Sequence, residues 1–506
     1  MSPRALSAAV AAALAVVAGG CASPGPQPER ALPNNPATLA AARSLDGVKL
    51  SDAAWPDAEW WRGFGDAQLD GLVTRALAGS PTLAIARARV ARARAAVAGA
   101  EAALRPEATI GFESTLQRYS EAGLVPPPVG GSWRTQNRLA LDASWDLDPW
   151  GRNRAAFAGA LGQARAAEIE VFSARLALTT ALTRAYVDFQ RLLDQLDLAR
   201  ATLKQREGLL AITRARVDAG LDSAVELRLA EGAVPGARVD VAGLEESIAL
   251  VRNQLAALAG EGPDAGLALA RPKLQPGKAF ALPVLLPADL LGRRPDIVAQ
   301  RWRVEASGHD IDAARARFYP NVNLIGFLGF SGIGFADFIS SAAAIAGIGP
   351  AIRLPIFEGG RLRSDLAGRQ ADYDLAVGQY NQTLVEALRD VTDQVVSFKA
   401  LATRRADQAE ALDRYRKAYD LAVLRYREGL GNQLAVLTAE AQVILQQRID
   451  ADLRNRELDL AVGLVRALGG GYAPEPVASR PVPDPAASHP VPDPAASRPL
   501  PDAPGK

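Results

Sequence analysis

The stretch from Pro81 to Pro106 reads PTLAIARARVARARAAVAGAEAALRP, and about 214 positions later, from Pro295 to Pro320, the chain reads PDIVAQRWRVEASGHDIDAARARFYP. In both copies a proline opens the segment, an apolar residue follows at every seventh position, and a second proline closes it. These apolar residues are Leu83, Val90, Val97 and Leu104 in the first copy, and Ile297, Val304, Ile311 and Phe318 in the second. Such spacing is typical of helices that pack side by side as coiled coils. We therefore expect two copies of one helical architecture.

A longer heptad column follows each copy. It consists of Leu182, Phe189, Leu196, Leu203, Leu210 and Val217 in the first half, and a shift of about 209 gives Val391, Phe398, Arg405, Leu412, Tyr419 and Tyr426. Only Arg405 breaks the column. The two halves cover residues 64–262 and 282–469, and together they predict a mainly α fold built from two internal structural repeats.

Glycines bound the long helices. The segment from Gly151 to Gly220 predicts about seventy helical residues, a rod of roughly 100 Å. Gly220 and Gly429 lie at equivalent positions, where glycine supplies the left-handed turn that reverses a chain, so each half should form one helical hairpin. Pro235, followed by Gly236, predicts a kink or break in the returning helix of the first half.

The segments between the helices alternate apolar and polar residues, as strands do. Four strands are expected, near 107–118, 136–148, 320–331 and 347–357. Each has about the length that a tilted strand needs to cross hydrocarbon. A transmembrane helix over 323–348 is the alternative. Its glycines, Asp337 and the nearby Pro350 disfavour it, and the equivalent segment of the first half is much more polar.

Four strands cannot close a barrel in lipid, where an open sheet would leave backbone groups unsatisfied. The barrel must then be shared between chains. Three chains would give twelve strands and a tube of helical hairpins with three-fold symmetry. Two chains would give eight strands, but side chains fill the interior of so small a barrel.

Both ends of the chain have their own composition. Residues 1–20 carry Arg4, an apolar run and small residues before Cys21, which indicates a signal peptide. The cysteine resembles the acylation site of a bacterial lipoprotein, so residues 21–63 are expected to be a lipidated N-terminal segment. Ordinary cleavage beside an incidental cysteine is the alternative. Residues 473–506 form a Pro-rich repeat that is expected to be disordered.

Composition disfavours most enzyme classes and nucleic acid as a partner. The chain has two histidines and one cysteine, too few for a metal cluster of His and Cys or for a nucleophilic relay. The phosphate-binding G-x-x-x-x-G-K-[ST] pattern does not occur, and no G-x-G-x-x-G follows an apolar strand. The formal net charge is +1. We expect no catalytic activity, no cofactor and no metal.

Five motifs resemble the outer-membrane efflux protein family of TolC type, in its NodT-like lipoprotein branch: WDLDPWGR at 145–152, LGRRPDI at 291–297, FYP at 318–320, GPAIRLPIFEGGR at 349–361 and RYREG at 425–429. The resemblance implies a lipid-anchored homotrimer with a twelve-stranded barrel in the outer membrane and a helical tube in the periplasm. It also implies a passive exit duct of a tripartite efflux system for drugs or other toxic compounds. A periplasmic adaptor would dock to it, and an inner-membrane pump would supply the energy.

The same resemblance implies that the helical tips close the tube. Tyr426 and Gly429, next to Arg425, match the family's motif at the tip. Two positions where the family carries aspartates are Ala435 and Thr438 here, so the usual acidic ring is lacking. Glu226, aided by Asp222, could supply carboxylates instead. The alternative is that both are ordinary solvated residues of the tip.

Two other functions remain open. The tube could pass proteins, as the outer-membrane duct of a type I secretion system. The chain could also be a periplasmic coiled-coil lipoprotein without a channel, in which the apparent strands are loops. The sequence specifies neither the exported compound nor the class of pump.

Overall fold

The computed structural model describes residues 23–25, 29–35, 39, 55–123, 125–275 and 292–473. The expected signal peptide, Cys21 and nearly all of the Pro-rich tail lie outside these residues. The helices are α1 (Ala67–Gly79), α2 (Pro81–Ala102), α3 (Arg152–Asp218), α4 (Ala224–Ala259), α5 (Asp264–Leu267), α6 (Pro295–Ala316), α7 (Arg361–Arg427) and α8 (Gln433–Ala467). The strands are β1 (Glu107–Arg118), β2 (Trp133–Asp146), β3 (Asn321–Ile333) and β4 (Ala344–Arg353).

The two structural repeats are confirmed by the lengths of equivalent helices. Helices α2 and α6 each have 22 residues and begin with a proline, which suits the first position because its missing N–H would lack a helical partner there. Helices α3 and α7 each have 67 residues, about 100 Å of helix. Each then reverses into a second long helix, α4 or α8. Each repeat therefore contributes one helical hairpin.

Helix α3 is the centre of the helical packing. It contacts α4 within its own hairpin, α2 and α6 beside it, and α8 of the second hairpin. Helix α7 packs on α6 and α8. The remaining faces of α4 and α7 expose large apolar side chains: Val225, Leu229, Val239 and Leu250 on α4, and Leu375, Val385, Val396, Leu421 and Leu424 on α7. These faces have no covering element among the described residues.

The four predicted strands are confirmed, and they form one antiparallel sheet in the order β1-β2-β3-β4. The register places Phe112 opposite Leu139, and Leu139 opposite Phe330, so apolar residues of three strands share one face. Apolar side chains exposed on this face are Ile110, Phe112, Leu116, Leu141, Leu328, Ile348 and Ile352. The alternative of a helix over 323–348 is wrong.

The strand ends differ by a few residues from those predicted. Strands β2 and β4 begin at Trp133 and Ala344, before the clear alternation starts, because backbone pairing continues into the turns. Strand β4 ends at Arg353, two residues before Pro355, which cannot donate to a neighbouring strand. Among the described residues, no helix combines the length and the apolar character that a membrane span requires.

The largest buried cluster joins the N-terminal segment to the helices. Trp60, Trp61 and Phe64 pack there with α1, α3, α4 and α8. Asp66 caps α1 by accepting from the backbone N–H of Gln68 at 2.8 Å, and it also accepts the hydroxyl of Tyr186 at 3.0 Å. This cluster fixes both hairpins to one base, at a distance from their tips.

A kink or a break was predicted at Pro235; helix α4 is continuous there, which excludes the break. Proline removes the hydrogen bond that its N–H would donate to Glu231 one turn earlier. Its neighbours Val234 and Ala237 are buried, and their packing holds the helix across the missing bond.

Candidate functional site

Both hairpins end in the same kind of turn. At the first tip, the N–H of Leu221 donates to the carbonyl of Arg216 at 2.8 Å, and that of Gly220 donates to Val217 at 2.9 Å. This pair of bonds is the Schellman motif, which needs a left-handed residue. Gly220 has φ +72° and Gly429, at the second tip, has φ +75°. The glycines therefore act as turn residues, as the repeat predicted.

A charged cluster joins the two hairpins at their tips. The guanidinium of Arg216, on α3, contacts Asp222 through Nε to Oδ2 at 3.0 Å and Nη2 to Oδ1 at 3.2 Å. The hydroxyl of Tyr426, on α7, donates to the same Oδ2 at 2.6 Å. Arg216 also donates to the backbone carbonyl of Tyr426 at 3.2 Å, and its guanidinium lies 4.5 Å from the centre of the tyrosine ring. We call Arg216, Asp222 and Tyr426 the tip cluster.

Apolar packing supports the tip cluster from below. Tyr426 is fully buried and packs with Leu209 and Val436, which lie on α3 and α8. The hydroxyl of Thr213 lies 3.4 Å from that of Tyr426 and donates to the carbonyl of Leu209 at 2.9 Å. Packing therefore holds the tyrosine ring in place independently of the hydrogen bond to the carboxylate.

The electrostatics favour a charged carboxylate. Burial raises the pKa of Asp222, but the hydrogen bonds from Arg216 and Tyr426 outweigh it and hold the pKa below its ordinary value. Burial and the bond to Asp222 both raise the pKa of the Tyr426 hydroxyl, which therefore stays a donor. Asp222 is therefore charged at neutral pH, and its bonds to Arg216 and Tyr426 weaken when the carboxyl group is protonated.

Glu226 is a helix cap. Its carboxylate accepts from the backbone N–H of Ser223 at 3.0 Å and from the Ser223 hydroxyl, while that hydroxyl accepts from the N–H of Val225 at 3.2 Å. This is a capping box at the first turn of α4. The hydrogen bond from the Ser223 hydroxyl is the main cause that lowers the pKa of Glu226.

Arg425 stands apart from the tip cluster. It is exposed, and its Nη2 lies 3.4 Å from the carbonyl of Leu430 in its own turn. The position equivalent to Asp222 in the second hairpin is Gly431, so Arg425 has no carboxylate there. Ala435 and Thr438 are exposed on the first turns of α8.

A family model described as outer membrane efflux protein matches residues 72–261 and 286–470. The chain belongs to the outer membrane efflux protein family. The match covers both repeats and confirms the resemblance seen in the motifs. Members of this family are outer-membrane proteins of efflux, and the two long hairpins with a shared four-stranded sheet are this chain's version of that architecture.

Individual relatives agree with this family. The chain is 39% identical over 365 residues to the fusaric acid resistance protein FusA of Burkholderia cepacia, covering 71% of this chain and 68% of the relative. It is 30% identical over 443 residues to the multidrug resistance outer membrane protein MdtP of Escherichia coli K12, covering 86% and 91%. The crystal structure of the outer membrane protein VceC of Vibrio cholerae superposes with a TM-score of 0.77 at 36% identity, covering 82% and 100%.

Two members of this site escaped the sequence analysis, Arg216 and Thr213. Arg216 is the repeat equivalent of Arg425, at a shift of about 209, and it precedes the turn that ends at Asp222. Mapping Arg425 back through the repeat would have found it. Thr213 carries no such signal, because a buried threonine that bonds its own helix is common.

The arrangement can make and break a link between two helical hairpins. Its parts are an ion pair, a charge-assisted hydrogen bond and an aromatic ring stacked on a guanidinium, all reversible contacts. Across the described ranges, no three His, Cys, Asp or Glu side chains are grouped so that they could hold a metal.

Proposed function

We propose that this protein is the exit duct of a tripartite efflux system, passively conducting drugs or other toxic compounds across the outer membrane. The observation that carries the proposal is the open antiparallel sheet with an exposed apolar face, joined to helical hairpins about 100 Å long. Such a sheet suits lipid on one face, and such hairpins suit a conduit that reaches far from the membrane.

Among the possible assemblies, a homotrimer suits this function best. In lipid, the unpaired edges of β1 and β4 need partners, because unsatisfied backbone groups there are costly. Pairing β1 of one chain with β4 of the next closes a ring of twelve strands from three chains. The exposed apolar faces of α4 and α7 lie on opposite sides of the hairpins and are suited to meet between neighbouring chains.

The tip cluster is the proposed gate of the duct. It links α7 to the turn of the first hairpin within one protomer, at the end opposite to the sheet. Opening the tip requires the Tyr426 hydroxyl to leave Asp222. Gly220 and Gly429 set the turns, while Arg216 positions the carboxylate for the tyrosine.

The partners and cargo follow from the relatives. The names of MdtP and FusA refer to resistance to drugs and to fusaric acid, which favours small toxic compounds over secreted proteins as cargo. A passive duct has no energy source of its own, so a periplasmic adaptor and an inner-membrane pump would select and drive the cargo.

Lipidation of Cys21 is supported by the path of residues 29–35. The N–H of Ala31 donates to Asp374 Oδ1 at 2.9 Å, and that of Asn34 donates to Asn381 Oδ1 at 2.7 Å. Ala31 and Asn34 are three residues apart, about 10 Å in an extended chain, and their partners on α7 are seven residues apart, about 10 Å in a helix. The later residue contacts the later partner, so the segment runs along α7 away from the sheet. Within residues 29–35, the N-terminal end is therefore the end nearer to the sheet.

The reach of this segment is sufficient for an anchor. Ten residues separate Cys21 from Ala31, a span of up to about 33 Å. Asp374 lies thirteen residues into α7, about 20 Å from the helix start that follows β4. A lipid on Cys21 can therefore reach the inner leaflet of the membrane that holds the sheet.

Conductance tests the duct directly. The purified full-length protein, reconstituted in a planar lipid bilayer, is expected to give brief ion-conducting openings that lengthen when the tip cluster is broken. Insertion of folded protein without any conductance, in the native form and with Asp222→Asn, would refute the proposal.

A further inference from the structure

The contact between α3 and α8 includes buried polar residues along its length. Near the base, Leu458 and Val462 of α8 pack with Leu182 of α3, close to the buried Asn455 and to the ion pair between Arg184 and Asp459. Near the tip, the buried face of α8 carries Gln433 and Glu440, with 1% and 2% of their surface exposed. Two polar residues thus occupy positions where a permanent coiled coil would place apolar ones.

Glu440 is the most unusual of these residues. Neither carboxylate oxygen has a hydrogen-bond donor among the described residues. Its nearest cation is Arg206 of α3, whose Nε lies 3.9 Å from Oε2, beyond hydrogen-bonding distance. Arg206 Nη1 donates a hydrogen bond to the carbonyl of Ala233 in α4, at 3.1 Å.

The charged and titratable groups that face Glu440 are few. Helix α3 contributes Arg206, and α7 contributes Tyr419, whose hydroxyl accepts the side-chain amide of Gln205. Burial raises the pKa of Glu440, and the charge of Arg206 only partly opposes this. A buried carboxylate without donors is costly when ionised and tolerable when neutral.

The internal repeat supplies a natural comparison. Glu231 occupies the equivalent position on α4, where it pairs with Arg228 at 2.7 Å and Arg214 at 3.5 Å. Its side chain is 30% exposed, and the hydrogen bond from Arg228 is the main cause that lowers its pKa. The buried, donor-poor setting therefore belongs to Glu440 and is not a feature of the repeat.

We propose that Glu440 is a proton-sensitive residue that sets how readily the second hairpin separates from the first near the tip. When its carboxyl group is neutral, α8 stays packed on α3. When the group is ionised, packing is weakened and solvation of the carboxylate favours separation. This inference rests on the proposed duct and deepens it, because separation at this level accompanies opening of the gate.

The sign of the effect separates Glu440 from the tip cluster. Since the pKa of Glu440 is raised above its ordinary 4.5, its destabilising charge appears as the pH rises past a value above 4.5. The pKa of Asp222 is lowered from 3.8, so the tip cluster keeps its charges throughout that window. Above pH 4.5, the gate should therefore open more often as the pH increases.

The test compares three full-length proteins in planar bilayers between pH 5 and pH 8. Native protein and Glu231→Gln should show an open fraction that increases with pH. Glu440→Gln, which fixes the neutral state, should stay at the low open fraction that native protein shows in acid. A pH dependence in Glu440→Gln equal to that of native protein would overturn the proposal.

A second variant guards against misfolding of the first. Arg206→Gln keeps the carboxyl group but removes its cation, so the midpoint of the pH dependence should move to higher pH. An unmoved midpoint would overturn the proposal even if Glu440→Gln fails to assemble.

A measurement without conductance keeps the two proposals distinguishable. Spin labels on cysteines at Lys204 and Ala441, which are exposed on α3 and α8, report the separation of these helices. We expect the distance to widen with pH in the native background and not with Glu440→Gln. Widening without any conductance would contradict the duct alone, whereas a distance independent of pH would contradict the role of Glu440.

Discussion

Replacing Tyr426 with Phe isolates one bond of the proposed gate. The variant loses the hydroxyl that donates to Asp222 Oδ2 at 2.6 Å but keeps the ring that lies under the Arg216 guanidinium. Asp222 keeps its contacts with Arg216, so no charge is left unpaired.

The magnitude follows from the type of bond. A hydrogen bond to a charged group contributes about 1.5 to 3 kcal/mol. The lower end applies here because the Asp222 side chain is 10% exposed and solvent can replace part of the bond. About 1.5 kcal/mol corresponds to roughly a tenfold higher ratio of open to closed tips in each protomer.

Single-channel recording at neutral pH measures this ratio as the fraction of time spent conducting. Tyr415→Phe is the matched control, since Tyr415 is a partly exposed tyrosine on the same helix, outside the tip cluster. An open fraction of Tyr426→Phe within twofold of native protein and of this control would refute the assigned role of the hydroxyl.

Three further predictions concern other residues. Because the pKa of Asp222 is lowered, the stability it gives to the closed tip is present above pH 3.8 and lost as the pH falls through the lowered pKa. Asp222→Asn should therefore be open at every pH. A native tip that stays closed in strong acid would contradict this. Cys21→Ser should lose its acyl chain in mass spectrometry yet remain with outer membranes through the sheet; complete release into the soluble fraction would favour a coiled-coil lipoprotein. Glu226→Gln should leave the reversal potential in a cation gradient unchanged, because the carboxylate caps α4 and glutamine can replace it. A loss of cation preference would instead support a ring of carboxylates at the tip.

Much of the fold could be predicted because it is periodic. The heptad columns and the glycines at 151, 220 and 429 predicted two hairpins, and the structure has them with helices of 67 residues. Alternation predicted four strands, and only their ends differed from the structure. Backbone pairing and Pro355 determine where the strands end.

The candidate site was less predictable, since its contacts join distant parts of the chain. The sequence indicated Asp222 and Tyr426 separately as residues of the tip. Only the structure shows that the Tyr426 hydroxyl donates to the Asp222 carboxylate. Arg216 resembled any basic residue at the end of a helix. Glu226 was considered as a tip carboxylate or as a solvated residue, and only the structure shows that its carboxylate also bonds Ser223 in a helix cap. The position of Glu440 matched that of Glu231, and only packing shows that one is buried and the other paired.

The central claim is a tube shared between chains, and the mass and shape of the detergent-extracted particle test it most directly. Light scattering with single-particle imaging should give three chains around a lumen, with a helical part about 100 Å long. A monomer, or a rod without a lumen, would contradict the account.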